Sequence, residues 1–273
     1  MANQRGHNTG WDDFYRYQND LAERIFATLM QENPDYTGKL TEPDRQKCIQ
    51  DIIYHIRYLA ESVSIDSPTL FLNYVQWVKI LFSSINIPHH SFLRSLSLLQ
   101  QYLPDYVDPA IAGYPAEVLQ QALEAFPSMR EQDSSFITPY NPHRLLAQQY
   151  IDLLLAGDRN AAAKVIFDAV AEGVGIKEIY LDVFQVSQRE LGRLWQHNRV
   201  TVAQEHFVTA ATQLIMSQLY PQIFNQQKNG YVFMGACVGD ELHELGIRMI
   251  SDFFELEGWD TYFMGANTPI SAV

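Results

Sequence analysis

Apolar residues recur at helical spacing along most of this chain. From Trp11 to Asn33, Phe14, Leu21, Ile25, Leu29 and Met30 fall close to one stripe, and Pro34 and Gly38 then break it. A second stripe runs from about Glu42 to Val63 through Ile49, Ile52, Ile53, Ile56, Tyr58 and Leu59. Ser67-Pro68 is a start signal, with a capping residue before a proline at the first helical position. The helix it opens, Thr69 to Asn86, is apolar on most sides and is expected at the centre of its domain. Pro88 opens another through Phe92, Leu96, Leu99 and Leu103. Pro104 and Pro109 interrupt, and Pro115 to Phe126 gives a last one. The stretch 128–140 is polar and irregular and reads as a linker. Four more helices follow: His143 to Ala156, one capped by Asp158 that ends at Gly173, Ile176 to about Gln196, and Thr201 to about Phe224. Thr201 and Gln204 make a capping box that pins the last start. Short connections between antiparallel helices predict a four-helix bundle.

The pattern changes near the end. Tyr231 to Val238 is apolar throughout and reads as a buried strand. A loop, Gly239 to Gly246, leads into an amphipathic helix from Ile247 to Glu257, stopped by Gly258. Thr261 to Met264 reads as a second strand, closed by Gly265 to Pro269. Strand, loop, helix, strand is a βαβ unit, and such units bind ligands at the carboxyl ends of their strands. The expected fold class is mainly α with a C-terminal α/β part. A helical domain spans 1–127, a linker 128–140, the bundle 141–227 and the α/β part 228–273.

Composition narrows the class. The chain has 273 residues, 47% apolar and 19% charged, with two cysteines, Cys48 and Cys237. No disulfide framework can be built from these, which suits a reducing cytoplasm. No run approaches the ~18 apolar residues of a membrane span, and Met1 to His7 has no signal-peptide core. The net charge of −13 comes without a basic cluster, which argues against direct nucleic-acid binding.

Two places carry candidate chemistry. His243 sits at the carboxyl end of the first strand, with Glu241 two residues before it and Gly246 three after. A neutral imidazole is a good ligand for a borderline metal, and a carboxylate on its far nitrogen fixes the tautomer. A lone loop histidine also reads as a surface or capping residue. The second place is the turn before the last bundle helix, where Trp195 is followed after nine residues by Glu205 and His206. The alternative there is a solvated helix start, where Glu is favoured by the helix dipole. In the front domain, His55 reads as a satisfied core histidine, and His89-His90, beside a helix-starting proline, as exposed.

The loop Glu241-x-His243-x-x-Gly246 resembles the cobalamin-binding signature, with Gly265 and Pro269 falling where that family has them. Together with Trp195 and Glu205-His206 on a bundle, the chain resembles adenosylcobalamin-dependent photoreceptors of the CarH and photocobilin type. The resemblance implies a flavodoxin-like domain, of which the chain carries the first two strands, and His243 as lower axial ligand of the cobalt. It implies that Trp195 packs on the adenosyl group, that Glu205 hydrogen-bonds it, and that His206 stands nearby. The family has a histidine directly after the tryptophan; here that position is Gln196, with His197 next, so a ligand formed after light falls to His197 or His206. The front domain resembles globin-like helical sensor domains, which in photocobilins accompany a bilin such as biliverdin, although no bilin motif can be named here. The function implied is a light sensor in which cobalt–carbon photolysis changes domain packing or oligomeric state, acting through a homo-oligomer or a protein partner, with no DNA-binding domain and no enzyme activity. The alternatives are a corrinoid methyl carrier of a methyltransferase system and a cobalamin-sensing antirepressor.

Overall fold

The computed structural model describes residues 12–33, 40–131, 134–269 and 271. Trp11 and the expected break at Pro34 and Gly38 lie outside them. The chain divides into two compact units between residues 133 and 134.

In the first unit the apolar stripes become helices α1 (Asp12–Glu32), α2 (Glu42–Ser64), α3 (Pro68–Ser84), α4 (His89–Tyr102) and α5 (Gly113–Ala125). Short 3-10 turns at Leu103–Asp105 and Phe126–Ser128 follow α4 and α5, each with a proline in its first positions. Phe71, Ile25, Ile56, Leu59, Leu96 and Leu99 are fully buried in one core. Two caps differ from expectation. Thr41 forms a capping box with Asp44 that starts α2. Ser67 precedes α3 but makes no side-chain cap; instead its carbonyl accepts from Ser62 Oγ at 2.8 Å.

The second unit starts with a segment that packs rather than dangles. Ile137 is buried in the unit's core, and Glu190 accepts from Ser135 Oγ and Phe136 N, both at 3.0 Å. Helices α6 (Arg144–Leu155), α7 (Arg159–Ala171), α8 (176–196) and α9 (Val202–Ile223) share that core. The N-cap of α7 is Asp158, whose Oδ1 accepts from Ala161 N at 2.9 Å, and the capping box of Thr201 and Gln204 starts α9. Helix α8 is not uniform. Its stretch Ile179–Gln185 is π-helical, a widened turn that recurs at functional sites.

Strand β1 (Val232–Ala236), helix α10 (Leu245–Leu256) and strand β2 (Asp260–Gly265) complete the unit as a parallel βαβ pair, with a register shift between Gly235 and Ala236. One face of β1 meets α10: Phe233 stacks on Phe254 at 4.1 Å, and a Cβ on Gly235 would lie 3.0 Å from Ser251 Oγ. The expectation of a strand buried on both faces does not hold. Val232 and Met234 are exposed, because α10 covers only the face they point away from. Met249 of α10 is buried in the core of the helices, and Leu245, Phe253 and Leu256 pack against it. Among the described residues no helix is long and apolar enough to cross a membrane.

Candidate functional site

The loop after β1 is held by its own backbone. Asp240 N donates to Asn267 Oδ1 at 2.9 Å, and Asn267 N to the Glu241 carbonyl at 3.0 Å, so the loops that leave β1 and β2 are tied together. Asp240 (φ 67) and Asn267 (φ 49) both adopt the left-handed conformation that short polar side chains tolerate. Out of this frame projects His243, whose side chain is 93% exposed. Its backbone N and its ring Nδ1 both lie 2.6 Å from Glu241 Oε1. Those two bonds, the backbone one first, hold the Glu241 carboxyl below the usual carboxylate range. An ionised carboxylate only accepts, so Nδ1 carries the proton and Nε2 presents its lone pair outward.

The loop around that imidazole is open to solvent and mixes charged with apolar residues. Val238, Leu242 and Met264, at the ends of the two strands, are exposed. No atom lies within 4 Å of where a Cβ on Gly246 would stand. Gly265 has a φ of +77 and a close neighbour, since its added Cβ would lie 3.0 Å from Glu244 Oε2. Glu244 reaches that point from the residue after His243. Its Oε2 accepts from Ala266 N at 2.9 Å, and its Oε1 from Gln213 Nε2 of α9 at 2.8 Å.

The second cluster lies at the turn between α8 and α9. Helix α8 closes with Asn198 in the left-handed region (φ 54), its N–H donating to the Trp195 carbonyl at 2.9 Å. Three residues later Thr201 starts α9, so Trp195 and Glu205 are held at neighbouring helix ends by two caps rather than by a flexible loop. Trp195 is half-buried. Gln188, two turns earlier on the same face of α8, donates from Nε2 to Thr212 Oγ1 at 3.0 Å, which turns this face toward α9. The Thr209 hydroxyl lies 3.1 Å from both Gln188 Oε1 and Glu205 Oε1. Thr212 donates to the Val208 carbonyl at 2.8 Å, so the Tyr150 hydroxyl donates to Thr212 at 2.9 Å. A polar ladder thus fixes Glu205 from within the bundle. His206 lies 3.6 Å from Glu205 Oε2 and is mostly exposed. His197 is half-buried, and its Nε2 is shielded from solvent without a hydrogen-bond partner.

The predicted residues therefore form two pairs, Glu241–His243 and Glu205–His206, which do not bond to each other. What joins them is α9. Glu205, Thr209 and Gln213 occupy one stripe at four-residue spacing, about 12 Å from first to last. Its upper end meets α8 through Gln188 and its lower end meets the His243 loop through Glu244. Farther along, Arg248 donates to Ser217 Oγ at 2.7 Å and to the Tyr220 hydroxyl at 3.0 Å. Gln188, Thr209, Gln213 and Glu244 were not singled out from sequence. The signal available was the run of polar residues at one spacing on an otherwise apolar helix.

A third joint is buried. Asp252 of α10, 3% exposed, accepts from the Tyr180 hydroxyl of the π-helical stretch at 2.8 Å. Burial raises its pKa to about 6, against the opposing effects of that bond and of Arg248. A groove of about 330 Å³ between α7 and α9, lined by Arg159, Lys164, Phe167 and Leu214, contains none of the candidate residues.

Among the described residues no three His, Cys, Asp or Glu side chains gather as a cage for a bare metal ion. A corrinoid needs none, because its ring supplies the equatorial nitrogens and only an axial donor is left to the protein. An outward Nε2 lone pair, oriented by a carboxylate and set among exposed apolar residues, fits that requirement.

No curated protein matches the chain. Residues 146–220 match the family model of a B12 binding domain. The match spans α6 to α9 and takes in Trp195, Glu205 and His206, while the His243 loop lies outside it. The helices of the second unit are therefore similar to a B12 binding domain, which supports a cobalamin-type cofactor for this chain.

Proposed function

We propose that the chain is an adenosylcobalamin-binding light sensor. The observation that carries the reading is the Glu241–His243 pair, an exposed imidazole whose free nitrogen is aimed by a carboxylate 2.6 Å away. It stands in the same unit as helices that match a B12 binding domain.

In this reading His243 supplies the lower axial ligand and Glu241 sets its tautomer and raises its basicity. Gly246 leaves the approach to the loop unobstructed, and Gly265 leaves room for the loop's own carboxylate. Trp195 packs against the adenosyl group, and Glu205 accepts hydrogen bonds from its hydroxyls. Thr209 and Gln188 keep that carboxylate in place. When bound, the cofactor supplies the photochemistry, since light cleaves its cobalt–carbon bond. Trp195 then loses a packing partner and the balance of packing states in the second unit shifts. The output is a changed oligomeric state or a changed protein contact.

The test is absorbance and light scattering of the full chain with adenosylcobalamin, in darkness and then under green light. The reading predicts a bound spectrum that changes on illumination, together with a change in mass or shape. An unchanged spectrum under green light contradicts it. Trp195→Ala should weaken the adenosyl form at least about tenfold more than the methyl form. Equal losses favour the methyl-carrier reading instead.

A further inference from the structure

We infer that Glu244 is a positioning residue that ties the His243 loop to helix α9, so that occupancy at the loop is felt by the far half of the bundle helix. The inference rests on the cofactor reading for its ligand and on three observations of the loop's geometry for its mechanism.

The first is the direction of the side chain. Glu244 stands at the N-cap of α10 and makes no bond back to its own helix. It reaches away, to Gln213 Nε2 at 2.8 Å and Ala266 N at 2.9 Å. The second is that both partners donate. A carboxylate has an acceptor for each; a glutamine in its place would present an NH2 group to one of them. The third is the room made for it. Gly265, in the left-handed region with φ +77, is the residue whose Cβ would press on Glu244 Oε2.

The backbone neighbour completes the argument. His243 and Glu244 are consecutive, and each is fixed by a carboxylate contact: Glu241 fixes the ring of the first, and the clasp fixes the second. A displacement of the loop on ligation must therefore pull on Gln213, stretch the clasp, or break it. Gln213 lies two turns beyond Glu205, at the end of the stripe that continues toward Ser217 and Tyr220. The stretch from 213 to 223 is thus coupled to the loop without needing to touch the ligand.

The experiment is hydrogen exchange on the full chain, with and without hydroxocobalamin, for wild type, Glu244→Gln and Gln213→Ala. In the ligand-free protein, loss of the clasp should speed exchange at Ala266 and in 213–223 by about fivefold, the scale of one net hydrogen bond. With hydroxocobalamin, wild type should gain protection both in 237–246 and in 213–223. The variants should keep the first gain and lose the second, a split that a purely stabilising role for Glu244 would not produce. Retention of both gains in Glu244→Gln overturns the inference. If hydroxocobalamin protects neither segment of wild type, the cofactor reading fails. The clasp is then judged by the ligand-free arm, where unchanged exchange in both variants overturns it. Gln213→Ala approaches the clasp from the α9 side, so a folding defect confined to Glu244→Gln does not decide the outcome.

Discussion

The two units treat their buried polar groups differently. In the first, each is closed off inside its own core. His55 is buried on α2, its Nδ1 lies 2.6 Å from the Tyr74 hydroxyl, and burial pushes its pKa down to about 3, so the ring stays neutral. Lys79 is just as buried, and its ammonium donates to the carbonyls of Phe126 and Met129 at 3.0 and 2.9 Å. In the second unit, a buried carboxylate, Asp252, has its pKa raised to about 6 by burial. Two shielded nitrogens, His197 Nε2 and Arg248 Nε, have no hydrogen-bond partner. All three lie where helix meets helix end or where α10 meets the bundle. The second leaves shielded polar groups at its joints, the places where the proposed change of packing would act.

The largest expected effect is at Asp252. A carboxyl whose folded pKa is raised contributes stability that is present below the ordinary carboxylate value and lost as pH climbs through about 6. Arg248, Glu255 and Tyr180 are the charged and titratable groups around it. Asp252→Asn removes the group that must ionise while leaving an acceptor for Tyr180. Chemical denaturation at pH 4.5 and 7.5 should show the variant gaining about 2 kcal/mol on wild type across that interval. No pH-dependent gain would mean that the joint carries no ionisation strain.

Tyr74→Phe strikes the opposite side of the comparison. It leaves His55 Nδ1 buried without its partner, so it should destabilise the first unit by about 1–3 kcal/mol in equilibrium denaturation. A neutral result would show that this core does not depend on the closure. The smallest effect belongs to Thr201→Ala, which removes the cap at the start of α9. It should cost about 1 kcal/mol and loosen Glu205. Unchanged stability would show that the bundle alone holds that end.

Much of this was legible in the chain. The starts of α7 and α9 could be read because Asp158 and Thr201 stand directly before helical runs and do what such residues do. The ring bond from Glu241 to His243 was legible only through the loop's resemblance to the cobalamin-binding signature, in which the acidic residue bonds the histidine's far nitrogen. Four features could not be read. The π-helical stretch of α8 carries no proline or glycine, so periodicity shows only a helix there. The exposure of Val232 and Met234 depends on how many faces of the sheet are covered, which an apolar run cannot report. The docking on Glu190 runs through the Ser135 hydroxyl and the backbone N–H of Phe136, with Ile137 buried nearby, in a segment otherwise polar enough to pass as linker. His89, expected exposed, is half-buried, with its Nε2 3.0 Å from Ser83 Oγ. The contact runs back to the end of α3, a tertiary packing that the local pattern does not report.

The central claim is that His243 is the protein's ligand to a corrinoid cobalt. Absorbance titration of hydroxocobalamin into wild type and His243→Ala measures it directly. The account predicts a saturable spectral shift at one equivalent in wild type, and in the variant its loss together with a fall in affinity of about 100-fold or more. The same shift and affinity in both proteins would contradict it.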